Sequence, residues 1–249
     1  MMSSNPFIHN VHVLFRREDI TPEVIQNKIV VVLDILFATT TIVSAFSDGV
    51  KLVIPVRNER NARLAADGLA KDSFVLAGEL YAETINGFAS PTPLTLGQTE
   101  LSDKILIYST TNGTVALQQS SAAHQVFVGS LLNAKAVVSH ICDIAKGKQI
   151  VIICSGSMGL PNLEDTFGAG YFVNLLRSIR EDAISNYSDA SLVAERVYQA
   201  GNAADILFSS RVGRLMVERG KENEVNYASK LSSLDLVPVM ENHQVTILR

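Results

Sequence analysis

The stretch Lys28-Ile29-Val30-Val31-Val32-Leu33-Asp34-Ile35-Leu36-Phe37-Ala38-Thr39-Thr40-Thr41-Ile42 sets the architecture of this chain. Val30–Leu33 is a short β-branched run with almost no polar alternation. That pattern suits a central strand covered on both faces. Thr39 to Phe46 follows as a helix, and Gly49 ends it. The alternation then repeats outward: strand Leu52–Ile54, helix Asn58–Ala70, an apolar run Phe74–Ala77, strand Ile105–Tyr108, and helix Thr114–Gln119. Strand Val126–Val128, helix Ala134–Ile144, strand Ile150–Cys154 and a helix over Leu163–Arg177 complete it. Alternating strands and helices predict an α/β domain of three layers, its sheet largely parallel or mixed with helices on both faces. Helices between Ala190 and Ala228 and a hairpin, Leu236–Met240 with Val245–Leu248, close the chain. No linker or low-complexity stretch interrupts residues 1–249, so a single domain of two intimately packed halves is expected. An internal echo supports the halves. Lys28–Val32, a Thr cluster, a helix, Val53–Val56, Asn58 and an Ala-rich helix are matched by Lys104–Tyr108, a Thr cluster, a helix, Val126–Gly129, Asn133 and an Ala-rich helix.

The composition excludes several classes. Hydrophobic residues are 47% and charged residues 18% of 249, with mean hydropathy +0.21, enough for a sizeable core and against global disorder. The formal charge is −4, and Trp is absent. Neither a phosphate-backbone binder nor a base-stacking platform is expected. Cys142 and Cys154 lie in apolar segments and read as buried free thiols of a reducing compartment. Met1–Asn10 is polar without a leader-like apolar core, and no run approaches a membrane span. A cytoplasmic protein with no membrane partner is expected, with a homodimer left open. The histidines have no metal-ligand spacing.

Three apolar strands each run into a small-polar turn and then a helix. The turns hold Asp34 with Thr39, Thr40 and Thr41; Thr110, Thr111, Asn112, Gly113 and Thr114; and Ser155 with Gly156. Ligands bind beyond the carboxyl ends of such strands. Small residues and helix N-termini there present amides to an anion. Each Thr or Ser can equally cap its own helix. Four carboxylates accompany the turns. Asp34 ends a strand, where charge is costly unless paired, metal-bound or used within a turn. Glu79 follows Gly78 at another strand end. Glu164 and Asp165 open a helix behind Asn162, where a carboxylate also favours the helix dipole. Hard oxygen ligands beside phosphate donors suit Mg²⁺ better than zinc. No P-loop, dinucleotide fingerprint or serine-nucleophile elbow is present. Cys154–Leu160 lacks the arginine a cysteine-phosphatase loop needs.

The same segments, in this order, resemble the 2-phosphosulfolactate phosphatase family (ComB-like proteins). The likeness is carried by Val30–Ile42, by Ala77-Gly78-Glu79, by Ser109–Thr114, by Val128–Ala134, by Cys154-Ser155-Gly156, by Leu163-Glu164-Asp165 and by Val237-Pro238. It implies a Mg²⁺-dependent phosphatase that hydrolyses a small anionic phosphate ester, 2-phospho-3-sulfolactate, to 3-sulfolactate on the route toward coenzyme M. Asp34, Glu79 and Glu164 would be its catalytic carboxylates, and these with Asp165 its metal ligands. The turns Thr39–Thr41, Thr110–Thr114 and Ser155–Gly156 would hold the phosphoryl group. The chain departs from the family pattern where an arginine is expected, at Phe37 and at Leu80. Those departures raise a second reading, an anion-binding relative that keeps the fold without turnover.

Overall fold

Every residue of Ile29–Leu33 is buried, as a strand with parallel neighbours on both sides and cover on both faces requires. A computed structural model describes residues 10–145, 147–179 and 186–248; the polar stretch before residue 10 lies outside them. Ten strands form one mixed sheet. They are β1 Val11–Leu14, β2 Ile29–Leu33, β3 Leu52–Val56, β4 Phe74–Leu80, β5 Glu83–Thr84, β6 Ile105–Ser109, β7 Gln125–Gly129, β8 Ile150–Cys154, β9 Pro238–Glu241 and β10 Gln244–Ile247. Their order is β1-β8-β2-β7-β9-β10-β3-β6-β4-β5.

The sheet is two parallel blocks, β1-β8-β2-β7 and β3-β6-β4. The C-terminal hairpin β9–β10 sits between them, antiparallel to β7 on one side and to β3 on the other. Three successive antiparallel pairings therefore reverse the second block relative to the first. The sequence echo has a topological counterpart. In each half the first strand, β2 or β6, leads through a helix to a strand of the opposite block, β3 or β7, so β2 pairs with β7 and β6 with β3.

Burial explains how reversed blocks can share one site. Val30, Val32, Val128 and Ile153 of the first block join Val53, Leu106 and Tyr108 of the second in one core. Inside that core lie the helices Ala38–Ser47 and Gly113–Gln119, through Ile42, Val43, Ala116 and Leu117. The sheet thus wraps around two inner helices, and each helix starts at the end of β2 or β6. The opposite face of the first block, through Ile29, Val31 and Ile152, is covered by Ala134–Ile144 and Leu163–Ile179. The helix Glu59–Ala66 covers the outer face of the second block. It starts as expected, with the Asn58 side chain accepting the Asn61 amide, but stops at Ala66 rather than Ala70 because Asp67 turns to extended backbone. Behind the outer layer, the helices Asp189–Gln199 and Ala203–Ser209 pack on Leu163–Ile179, and Arg211–Glu218 and Glu222–Ala228 pack on the second of them. No helix among the described residues is long and apolar enough to cross a membrane.

Candidate active site

Asp34 leaves β2 into a turn closed by Thr39. The Thr39 hydroxyl accepts the Asp34 amide at 2.9 Å and donates to the Asp34 carbonyl at 3.0 Å. The Ala38 amide donates to Asp34 Oδ1 at 3.2 Å. From the other block, the turn after β6 presses on the same carboxylate. A Cβ at Gly113 would stand 2.6 Å from Asp34 Oδ2 and 2.4 Å from the Ala38 Cβ, so glycine alone admits this approach. Asp34 keeps some accessible surface, yet its carboxyl is walled in by protein. Burial pushes it up to about 7, with Glu79 and Glu164 adding repulsion and the Ala38 and Gly113 amides opposing it.

The four predicted carboxylates gather around this point in distinct roles. Asp165 receives the Ile35 amide on Oδ1 at 2.8 Å and the Gly156 amide on Oδ2 at 3.1 Å, tying the β2 and β8 turns together. Burial, then Asp34 and Glu164, push its carboxyl well up. Glu79 receives the Thr111 amide at 2.6 Å, the Thr111 hydroxyl at 3.0 Å and the Ala82 amide at 2.7 Å. Glu164 is buried, and its Oε1 has no partner among the described residues. Burial raises its carboxyl, while Ser210 and Arg211 pull the other way. No three His, Cys, Asp or Glu side chains among the described residues form a group that could hold a metal. The four carboxylates expected to share a metal are thus not gathered into one such group here. Asp165 and Glu79 hold backbone, whereas Asp34 and Glu164 stay in electrostatic reach of each other without a shared donor.

The turns divide similarly. Thr39, Thr40 and Thr41 are fully buried, and their hydroxyls donate to the carbonyls of Asp34, Ile35 and Pro91. These hydroxyl protons are committed within the protein, those of Thr39 and Thr40 to the turn after β2 and that of Thr41 to the distant Pro91 segment. Thr114 is also buried; its hydroxyl accepts the Thr110 amide and donates to the Val56 carbonyl at 2.7 Å. Thr110, Thr111, Glu79 and Leu80 instead line a pocket of about 230 Å³, together with Arg57 and Arg60. A larger depression of about 410 Å³ on the outer side of Glu59–Ala66 includes none of the turn residues. In the β8 turn, the Ser155 hydroxyl is buried without a partner among the described residues.

Cations around these turns were missed from sequence. The Arg17 amide donates to the Ser155 carbonyl at 3.2 Å, and its Nε reaches Asn112 Oδ1 at 3.4 Å, so Arg17 spans both blocks. Arg211 donates to the Ser157 hydroxyl at 2.5 Å and attracts Glu164. The only sequence signal was Arg16-Arg17 directly after an apolar strand. Phe37, at a position where the family pattern has arginine, is packed in the outer core. Leu80, at the other, is 55% exposed on the pocket wall.

The family profile for 2-phosphosulpholactate phosphatase matches residues 14–243, which contain every one of these turns. The chain belongs to the 2-phosphosulfolactate phosphatase family. Among members of that family, a probable 2-phosphosulfolactate phosphatase of Clostridium beijerinckii is 29% identical over 95% of this chain and 98% of its own length. One of Caldanaerobacter subterraneus subsp. tengcongensis is 33% identical over 88% of this chain and 90% of its own. One of Symbiobacterium thermophilum is 31% identical over 91% and 97%. The residues matched to the 2-phosphosulfolactate phosphatase family include strands β2 to β9 in full.

Proposed function

We propose that this chain hydrolyses a small, multiply charged phosphomonoester, 2-phospho-3-sulfolactate, to 3-sulfolactate and phosphate. One observation carries the reading. Where the β2, β6 and β8 turns meet, the Ser155 hydroxyl and Glu164 Oε1 are buried without a partner among the described residues, beside the crowded carboxyl of Asp34. Buried polar atoms are rarely left unmade unless a ligand or water completes them. The Ser155 hydroxyl then donates to a phosphoryl oxygen. Arg17, whose amide meets the Ser155 carbonyl and whose guanidinium reaches Asn112 and pairs with Glu18, stands beside the same group. Asp165 and Glu79 keep the turn amides in place before substrate arrives, which spares reorganisation during the reaction.

Mg²⁺ belongs to the same proposal. Such an ion often takes only one or two protein carboxylates, completing its shell with water and substrate phosphate. Asp34 and Glu164, with its unpaired Oε1, suit that sparse set and would hold it. When bound, it neutralises phosphoryl charge and acidifies a coordinated water. The two buried cysteines, neither in a disulfide, suit a reducing, cytoplasmic setting.

The test is phosphate release from 2-phosphosulfolactate by pure protein, with and without added Mg²⁺. Metal-stimulated release that Asp34→Asn removes supports the reading. Binding of 3-sulfolactate with no release from any phosphomonoester would instead support the silent relative, which Phe37 and Leu80 favour.

A further inference from the structure

We infer that Arg57 and Arg60 form the seat for the sulfonate of the substrate, an inference that rests on the function proposed above. Three neighbouring parallel strands end in register, with Val56 beside Ser109 and Ser109 beside Gly78. The next residues on those strands are Arg57, Thr110 and Glu79, so the register sets a guanidinium alongside the second threonine-rich turn. Arg60 lies in the first turn of the helix that follows and lines the same 230 Å³ pocket.

Both side chains are exposed, and neither forms a hydrogen bond or ion pair with another described residue. Every other described arginine has a partner. Arg16 holds Asp19, Arg17 reaches Asn112, Arg63 holds Glu59, and Arg177 holds Glu195. Arg196 holds Gln199, Arg211 holds Ser157, Arg214 holds the Ser209 carbonyl, and Arg219 holds Glu83. The two uncommitted guanidinium groups thus share one pocket. The acids around them do not cancel them. Glu59 is held by Arg63, and Glu79 faces the Thr111 and Ala82 amides.

The pocket includes Thr110 and Thr111 of the turn that presses on Asp34, and Glu79 of β4, which accepts the Thr111 amide. A substrate whose phosphoryl group sits at Asp34 can therefore extend its sulfonate toward Arg57 and Arg60. Leu80 supplies an apolar wall for the intervening carbon. A tetrahedral, weakly hydrated oxyanion matches forked guanidinium donors. The guanidinium group absent at Leu80 is in this way supplied from β3.

The experiment compares wild type with the double variant Arg57→Gln, Arg60→Gln on three esters. These are 2-phosphosulfolactate, isethionate phosphate (sulfonate but no carboxylate) and 2-phospholactate (carboxylate but no sulfonate). Both sulfonates should lose roughly tenfold or more in kcat/KM, mainly through KM, with 2-phospholactate changing less than about threefold. Equal losses on all three, loss confined to 2-phospholactate, or no loss would each overturn the inference. Calorimetric titration with 3-sulfolactate needs no turnover and separates this proposal from the catalytic one. Wild type should bind it, and the double variant should bind about tenfold more weakly or worse at an unchanged melting temperature. No binding by wild type, or equal binding by both, would reject the sulfonate seat even if phosphate release is observed.

Discussion

Thr39, Thr40 and Thr41 give their hydroxyl protons to carbonyl oxygens inside the protein, whereas Thr111 gives its proton to a carboxylate at a pocket wall. Both runs follow a buried strand, start an inner helix and occupy matching places in the two halves. The first is sealed between the sheet and its own helix, so its side chains satisfy backbone. Only Asp34 of that turn remains for chemistry. The second opens toward β3 and β4, so its backbone and Thr111 meet both Glu79 and the pocket. On the function proposed above, the two halves divide the labour, one setting the carboxylate and the other shaping the ligand's surroundings.

Asp34→Asn should break the comparison most strongly. Phosphate release should fall by roughly a thousandfold or more, as for loss of a central charged group. The fold should survive, since the amide keeps the shape and relieves repulsion from Glu79 and Glu164. A pH series in chelator gives the sign. The folded state holds the Asp34 proton up to about 7, against about 4 in an unfolded chain. Folding therefore takes up a proton between those values, and stability falls as pH rises through that window by at most about 1.4 kcal/mol per unit. Chemical denaturation from pH 4 to 8 should show a shallower decline for Asp34→Asn than for wild type. Parallel curves would place the Asp34 carboxyl in ordinary solvent.

Gly113→Ala tests whether the two turns need their close contact. Its Cβ would meet Asp34 and Ala38 well inside van der Waals distance. Turnover should drop about a hundredfold with a destabilisation of roughly 1–3 kcal/mol, measured by kinetics and denaturation together. Normal kinetics would mean that the blocks can part without loss.

Thr40→Val and Thr111→Val then sharpen the division. Thr40→Val strands the buried Ile35 carbonyl and should cost about 1–3 kcal/mol of stability, with kcat/KM of the folded protein changing little. Thr111→Val should do the reverse, lowering kcat/KM about tenfold while stability changes by under about 1 kcal/mol. Exchanged outcomes would reverse the assignment of the turns. The smallest effect on stability is expected for Ser155→Ala, which removes a hydroxyl with no partner among the described residues. Its melting temperature should hold, and its loss should appear as a roughly tenfold lower kcat.

The central strand and the Asp34 turn were legible because burial on both faces leaves an uninterrupted Val-Val-Val-Leu run that ends abruptly in a charge. The start of the helix at Asn58 was legible for a local reason, since the cap that sets it is satisfied within three residues. What stayed hidden depends on distant partners. Thr41 donates to Pro91, fifty positions away, and no local pattern announces that. The roles of Asp165 and Glu164 differ although the residues adjoin, because helical rotation sends one to two turn amides and the other toward Arg211. Arg57 and Arg60 were read past because they flank a helix start, where charged residues are usually solvated. Only strand register places them beside Thr110.

The hairpin Pro238–Ile247 has a consequence for biosynthesis. It follows the other eight strands in sequence, yet it belongs at the sheet's centre. Until it arrives, β7 and β3 each present an unpaired edge. A nascent chain can assemble both parallel blocks beforehand but cannot join them. A chain that stopped before Pro238 would carry two open edges able to recruit a neighbour.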